Sequence, residues 1–265
     1  MVFEDYTFDS DAEKGNFLQI LSKLRHLRYL SLKGTHLKYS KIFSKSICKL
    51  QNLVTLDIRD AGIRWLYSPV AELRQLHHLL VACSYNIFRM KPEVLRNLKD
   101  LQTLVGLQVN NMEIAEELGY LTQLMKLEIE VKLESQNTLN FLCVSLEKLS
   151  GSLLSLSLTT LTNQKERLNL NIQYPPSLLQ RLQIGNKKLD ELEVIKTLPN
   201  LLCLTIFNFP HNLEELLFRA GGFQNLKMLE IKNLGVLKSI EFQMDCMPVL
   251  EKLVIISCWK LLHVI

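Results

Sequence analysis

Aliphatic residues recur along the chain in one fixed spacing: a leucine, two variable residues, a leucine, two more, a leucine, one variable residue and a closing aliphatic. The clearest copies are Leu24-Leu27-Leu30-Leu32, Leu50-Leu53-Leu56-Ile58, Leu121-Leu124-Leu127-Ile129 and Leu198-Leu201-Leu204-Ile206. The residue that opens each final L-x-L falls at Leu30, Leu56, Leu79, Leu104, Leu127, Leu156, Leu182, Leu204, Leu229 and Leu253. Neighbouring markers lie 22 to 29 residues apart.

A strand sends successive side chains to opposite faces, so the two aliphatics around the variable residue of L-x-L point the same way. Each repeat therefore supplies one very short strand whose leucines need neighbouring repeats to exclude water. A period of roughly 20–29 residues built on L-x-x-L-x-L is that of a leucine-rich repeat. The predicted fold is an α/β solenoid, a horseshoe with short parallel strands on the concave face and short helices and irregular loops on the convex face. It forms a single domain over residues 1–265, with about ten repeats. Three places depart from the rule. Gly106 takes the second aliphatic position after Leu104, Pro176 stands where an earlier leucine belongs, and the 29-residue step before Leu156 implies an inserted turn near Lys132–Thr138.

The outer half of each repeat is less regular. Ile63–Leu73 and Ile87–Leu98 each carry a proline, which predicts extended chain followed by a turn. Asn111–Leu121 reads as a short amphipathic helix closed by Gly119, and Gln136–Leu149 as a second helix.

Composition adds little to this picture, but charge placement adds something. The net charge is only +4. From Lys14 to Leu56 there are nine basic residues and no Asp or Glu, which leaves 22 basic residues against 27 acidic ones elsewhere. Glu113, Glu116, Glu117, Glu128, Glu130 and Glu134 make the middle of the chain acidic. No apolar run reaches the roughly 18 residues of a membrane span, and no signal sequence opens the chain. The six cysteines are scattered without C-x-x-C, and no N-x-[ST] acceptor occurs, which suits a reduced, cytoplasmic protein. At the start, Met1–Asp5 reads as the tail of a preceding strand with Val2 or Phe3 buried. The intact strand at Leu253–Ile255 is followed by only ten residues. Neither end reads as a polar cap, so a piece of a longer chain is expected.

Several phrases resemble the repeats of plant intracellular immune receptors of the nucleotide-binding, leucine-rich-repeat class, with the coiled-coil type common in cereals as the nearest likeness. They are Leu21–Leu37 (LSKLRHLRYLSLKGTHL), Ile47–Leu66 (ICKLQNLVTLDIRDAGIRWL), Leu95–Val109 (LRNLKDLQTLVGLQV) and Glu116–Ile129 (EELGYLTQLMKLEI). The likeness is densest before residue 130. The outer phrase L-P-x-x-I of that family is weak here, since Tyr67 and Ser68 follow Leu66. No G-x-x-x-x-G-K-[ST] loop occurs, so ATP or ADP would belong to a nucleotide-binding domain outside this sequence and no cofactor is expected within it. The resemblance implies a non-catalytic module that senses a pathogen effector or modified host protein and restrains the nucleotide switch. It further implies that the basic first repeats, with Arg25, Arg28, Lys33 and Lys38, dock on the nucleotide-binding domain of the same polypeptide. A plain solvated face is the alternative for that stretch. Nucleic-acid binding would need interleaved aromatics, which are missing.

The register itself names the residues beside the core leucines that face a partner on the concave side: Arg28, Tyr29, Lys33, Asp57, Arg59, His77, His78, Lys126, Glu128, Glu130, Arg181, Phe207, Lys227, Glu230 and Lys232. Ser31, Thr55, Leu80, Gln180, Gln183 and Thr205 share those positions. Tyr29 and Phe207 are the exposed aromatics of the strip, a type enriched at interface hot spots. Trp65 and Trp259 stand at its edges, either on a partner or against a neighbouring repeat. His77 and His78 are adjacent, but no third ligand accompanies them, and a metal needs three or four. Cys83 and Cys258 follow strands, where a thiol satisfies backbone groups. Carboxylates lie singly on different repeats, and no nucleophile–base set is spaced for catalysis. Other readings of the chain are the substrate-recognition repeats of an F-box-type ubiquitin ligase or a stand-alone binding scaffold.

Overall fold

The computed structural model describes residues 1–37, 40–81, 88–132, 136–161, 176–185, 195–208 and 213–265. They divide into two compact units, Met1–Glu130 and Val131–Ile265.

In the first unit an extended start leads to helix α1 (Asp11–Leu21), whose Ser10 side chain caps the backbone N–H of Glu13. Then follow β1 (Tyr29–Ser31), α2 (Ser40–Ile47), β2 (Thr55–Asp57), β3 (Trp65–Leu66), a 3-10 turn over Ser68–Glu72 and β4 (His78–Leu80). The unit continues through β5 (Arg89–Met90), α3 (Pro92–Asn97), β6 (Thr103–Val109), α4 (Met112–Leu118) and β7 (Lys126–Lys132), of which residues 126–130 belong to it. The main sheet runs β1-β2-β4-β6-β7, and β3 pairs with β5. The marker leucines are in register: Leu30 opposite Leu56, Leu56 opposite Leu79, Leu79 opposite Leu104, all in parallel strands.

The second unit holds α5 (Gln136–Lys148), β8 (Ser155–Leu161), β9 (Arg181–Gly185), β10 (Cys203–Phe207), β11 (Glu215–Phe218), β12 (Met228–Lys232), β13 (Ser239–Phe242), β14 (Lys252–Ile256) and β15 (His263–Val264). Its main sheet runs β8-β9-β10-β12-β14 with Leu156, Leu182, Leu204, Leu229 and Leu253 aligned. Outer segments form a second parallel sheet, β11-β13-β15.

The first half of the leucine phrase has its own physical reason. The backbone N–H of the second leucine donates to the carbonyl of the first, three residues back, as in Leu53 to Leu50 (2.9 Å), Leu76 to Leu73 (3.1 Å) and Leu124 to Leu121 (2.9 Å). The chain thus makes a tight turn with both leucines held toward the core, then enters the strand. Pro176 fits this scheme. It is buried in the place of the first leucine, and its carbonyl accepts from Leu179 at 3.1 Å, which needs no N–H from the proline.

Gly106 shows why the pattern lapses there. Its φ is +87°, a conformation costly for a residue with a Cβ. The extra residue bulges the strand, and Leu107, fully buried, takes the core place that Gly106 would have held. The long step before Leu156 is filled by the thirteen residues of α5. Residues 133–135 of the expected inserted turn lie outside the described residues.

The outer elements follow the sequence where it was regular. The 111–121 segment is α4, with the Asn111 side chain accepting from the Ile114 N–H at 2.9 Å and Gly119 at its end. The two proline segments are short strand then turn or helix. The strands β11, β13 and β15 add extended outer elements to the expected helices and loops. Leu216, Phe218 and Ile240 are buried there, and the rings of Phe218 and Phe242 stack at 5.2 Å. At the start, residues 1–5 do run parallel beside β1, with Val2 bridged to Ser31. Val2, however, is 58% exposed, and Phe3 is half-buried against Tyr6 and Phe17. The bridge aligns Val2 with Ser31 instead of with a marker leucine, so its side chain is not among the core row.

The open sheet face as a candidate recognition surface

The marker leucines form a rigid floor. In the first unit Leu30, Leu56, Leu79, Leu104 and Leu127 are all fully buried. Residues that alternate with them stand on the other face of the sheet. In the first unit these are Tyr29, Thr55, His78, Thr103 and Lys126 in one row and Asp57, Leu80 and Glu128 in the next. In the second they are Arg181, Gln183, Thr205, Phe207, Glu230 and Lys232.

Among the proposed contact residues, Arg25, Arg28, Tyr29, Lys126, Arg181 and Lys227 are exposed. Lys33, Arg59, His77, His78, Glu128, Glu130, Phe207, Glu230 and Lys232 are half-buried. Asp57 is the one that does not present itself. It is buried because Arg59 folds back over it, with Nε 2.9 Å from Oδ1 and Nη2 2.6 Å from Oδ2. These bonds hold the proton on Arg59 more tightly than usual. Ser31 is buried beneath the first residues of the chain and donates to Glu4 Oε1 at 3.2 Å. Phe207 lies against Gly185, the neighbouring strand's glycine, where a Cβ would come within 2.7 Å of the ring. Lys38 and Cys83 lie outside the described residues.

Charge pairing differs between the strands of the two units. Glu230 accepts from Lys232 Nζ at 2.5 Å and from the Thr205 hydroxyl at 3.1 Å, and Lys232 holds its carboxyl below the usual range. Glu128 and Glu130 occupy the corresponding places on β7, where burial and then Glu128 push the Glu130 carboxyl up. The His78 Nδ1 sits 3.1 Å from the Thr103 hydroxyl, and burial followed by the adjacent His77 lowers the His78 pKa. His77 Nδ1 is 2.7 Å from the Gln75 carbonyl. Both rings have neighbours that explain them without a ligand, and among the described residues no three His, Cys, Asp or Glu side chains converge to hold a metal ion.

At the edges, the Arg89 guanidinium lies 5.6 Å over the ring of Trp65, and Trp259 is 83% exposed. The Cys258 thiol faces the Ile256 carbonyl at 3.6 Å, the role expected of a cysteine after a strand.

Two structural devices escaped the sequence reading. Asn52, Asn200 and Asn225 each stand just before the second leucine of a phrase, and each side-chain amide donates to a carbonyl one repeat earlier: Arg25 at 2.9 Å, Ser177 at 2.8 Å and Pro199 at 2.7 Å. The recurring N-L dipeptide was the visible signal. The other device is Glu117 on α4, which is buried and bonded by Arg96 of α3, with Nε 2.8 Å from Oε1. No local pattern marks that pair, because its members lie 21 residues apart.

An aliphatic floor of stacked parallel strands with variable side chains above it defines a repeat protein. The chain matches the leucine-rich repeat region family over residues 5–191 and belongs to it. It is also similar to two Arabidopsis thaliana proteins named for disease resistance. One is RF9, 29% identical over 280 residues, covering 93% of this chain and 25% of that protein. The other is At1g59780, 26% identical over 268 residues, covering 96% of this chain and 29% of that protein. The chain thus spans under a third of the length of either relative. No helix among the described residues is long and apolar enough to cross a membrane.

Proposed function

We propose that this chain is a non-catalytic recognition module of a plant disease-resistance protein. Its open sheet faces contact a protein ligand, a pathogen effector or a modified host protein, in the cytoplasm. The observation that carries this reading is the division of labour within each repeat. The strand leucines from Leu30 to Leu229 are buried and constant, whereas the residues between them differ from strand to strand and stand on the opposite face. Such a surface supplies many shallow contacts and no reaction centre. Its likeness to resistance proteins supports the biological setting.

In the same reading the basic first repeats dock on the nucleotide-binding domain of the whole receptor and keep it silent. Arg25 and Arg28 are exposed and have no acidic neighbour within their stretch of sequence. Like-charge substitutions at an electrostatic contact cost several kcal/mol. Arg25→Glu, Arg28→Glu and Lys33→Glu together in the full receptor should therefore release it and trigger leaf cell death without a pathogen. A silent triple variant that accumulates to normal levels would remove the autoinhibitory part of the proposal.

A further inference from the structure

The open face of the first unit alternates in character from strand to strand. Its strands run in the order β1-β2-β4-β6-β7. At their starts stand Arg28 and Tyr29 for β1, His77 and His78 for β4, and Met125 and Lys126 for β7. Between them β2 brings only Val54 and Thr55, and β6 only Gln102 and Thr103. Every second strand thus offers a cation or a pair of imidazoles, and the strands between are uncharged there. Arg28 and Lys126 are exposed, and among the described residues neither side chain has a hydrogen bond or an ion pair. No carboxylate stands in these two rows. The acids of this face lie further along: Asp57, closed by Arg59, and Glu128 and Glu130 on β7.

The imidazoles add a second observation. His77 Nδ1 lies 2.7 Å from the Gln75 carbonyl, which can only accept, so this nitrogen carries a proton. In the neutral ring Nε2 is then a bare lone pair, and it becomes a donor only when the ring is protonated. His78 Nδ1 is taken by the Thr103 hydroxyl at 3.1 Å. Among the described residues neither Nε2 has a partner. Of the strands packed against β4, β2 ends in the Asp57–Arg59 pair and β6 carries no charge; the turns leading into the three strands add Lys49, Glu72, Arg74, Lys99 and Asp100.

We propose that these strand starts dock an extended acidic segment of a protein partner, laid across the strands with a carboxylate at every third residue. Neighbouring strands lie about 4.8 Å apart, so β1, β4 and β7 recur roughly every 10 Å. An extended chain advances about 3.3 Å per residue, so three residues cover the same distance. One acid then meets Arg28, the next the two imidazoles and the third Lys126, while Thr55 and Gln102 offer polar groups between. The middle contact needs protonated imidazole, so the segment binds more tightly as pH falls from about 8 to 5, a range in which aspartate stays ionised. The inference rests on the open face being the recognition surface and adds the chemistry of its partner.

The test measures fluorescence anisotropy of the dye-labelled, end-capped peptide Gly-Asp-Gly-Gly-Asp-Gly-Gly-Asp-Gly with the whole chain at low salt. Its isomer Gly-Gly-Gly-Asp-Asp-Asp-Gly-Gly-Gly has the same charge without the spacing. The spaced peptide should bind saturably, more tightly than the isomer, and about fivefold or more tighter at pH 5.5 than at pH 7.5. Arg28→Gln/Lys126→Gln should weaken it about tenfold at both pH values. His77→Gln/His78→Gln should abolish the gain at pH 5.5 and leave affinity at pH 7.5 within about twofold. Lys41→Gln/Lys45→Gln, which removes two exposed lysines of the outer helix α2, should change neither. Equal binding of the isomer, no saturable binding, a gain at low pH that survives loss of both histidines, or an equal loss with the α2 variant would each overturn the proposal. Tighter binding of a nine-residue oligothymidine than of the spaced peptide would overturn it in favour of a nucleic-acid face. The open-face reading would survive each of these results, since Tyr29→Ala with Phe207→Ala tests it against a selected partner.

Discussion

At the scale of single residues, two strand carboxylates, Glu130 and Glu230, are shifted in opposite directions by their neighbours. Burial and Glu128 raise the Glu130 carboxyl, so the folded chain binds its proton more tightly than the unfolded chain does. Stability from this group is therefore lost as pH rises through its folded pKa. Lys232 lowers the Glu230 carboxyl, so stability there is present above the unfolded pKa and lost as pH falls through the folded one. Glu130→Gln should raise the melting temperature near neutral pH, with the gain shrinking toward acid. Glu230→Gln should lower it, with the loss shrinking toward acid. Thermal melts across the carboxylate range read both, and matching signs for the two variants would contradict this electrostatic account. Gly106 makes a different kind of demand. Gly106→Val forces a β-branched residue to φ near +87°, which should cost about 1–3 kcal/mol in denaturant melts. A neutral result would mean that the bulge can be dissolved.

At the scale of the element, each repeat contributes a turn, a strand of a few residues and an outer segment, and each depends on its neighbours. Leu127→Ala opens a cavity in a fully buried row and should cost about 2–5 kcal/mol by denaturant melts. An effect below about 1 kcal/mol would mean the row collapses freely around the gap. This level is where the chain was most legible. All ten markers lie where the L-x-L phrase put them, because strand alternation and the need to bury leucine act within a few residues. Helix α4 and its Asn111 cap were equally local. The outer strands β11, β13 and β15 were harder to read, since segments such as Ser239–Phe242 are too short to show a period and are fixed by pairing with a strand one repeat away. For the same reason the Arg96–Glu117 pair and the asparagine bonds between repeats left only faint traces. They connect residues more than twenty positions apart.

At the scale of the whole molecule, sequence pattern and structure separate support from recognition. Which side chains stand opposite the leucines was readable from the register alone. How far each stands out was not. Asp57 is capped by Arg59, Ser31 lies under the first residues, and Phe207 rests on Gly185. Those differences come from neighbouring side chains, which a repeat pattern does not encode. What remains accessible is exposed Tyr29 among mixed charges in the first unit and half-buried Phe207 among mixed charges in the second, and the central claim is that a protein partner binds these faces. The direct measurement is calorimetry on a partner selected with the wild-type chain. It compares Tyr29→Ala/Phe207→Ala with Tyr120→Ala/Phe141→Ala, which removes exposed aromatics outside the main strands. Circular dichroism should be unchanged in both. Affinity should fall at least tenfold, about 1.4 kcal/mol or more, in the first and hold in the second. Unaltered affinity in the first pair, or loss only in the second, would contradict the account.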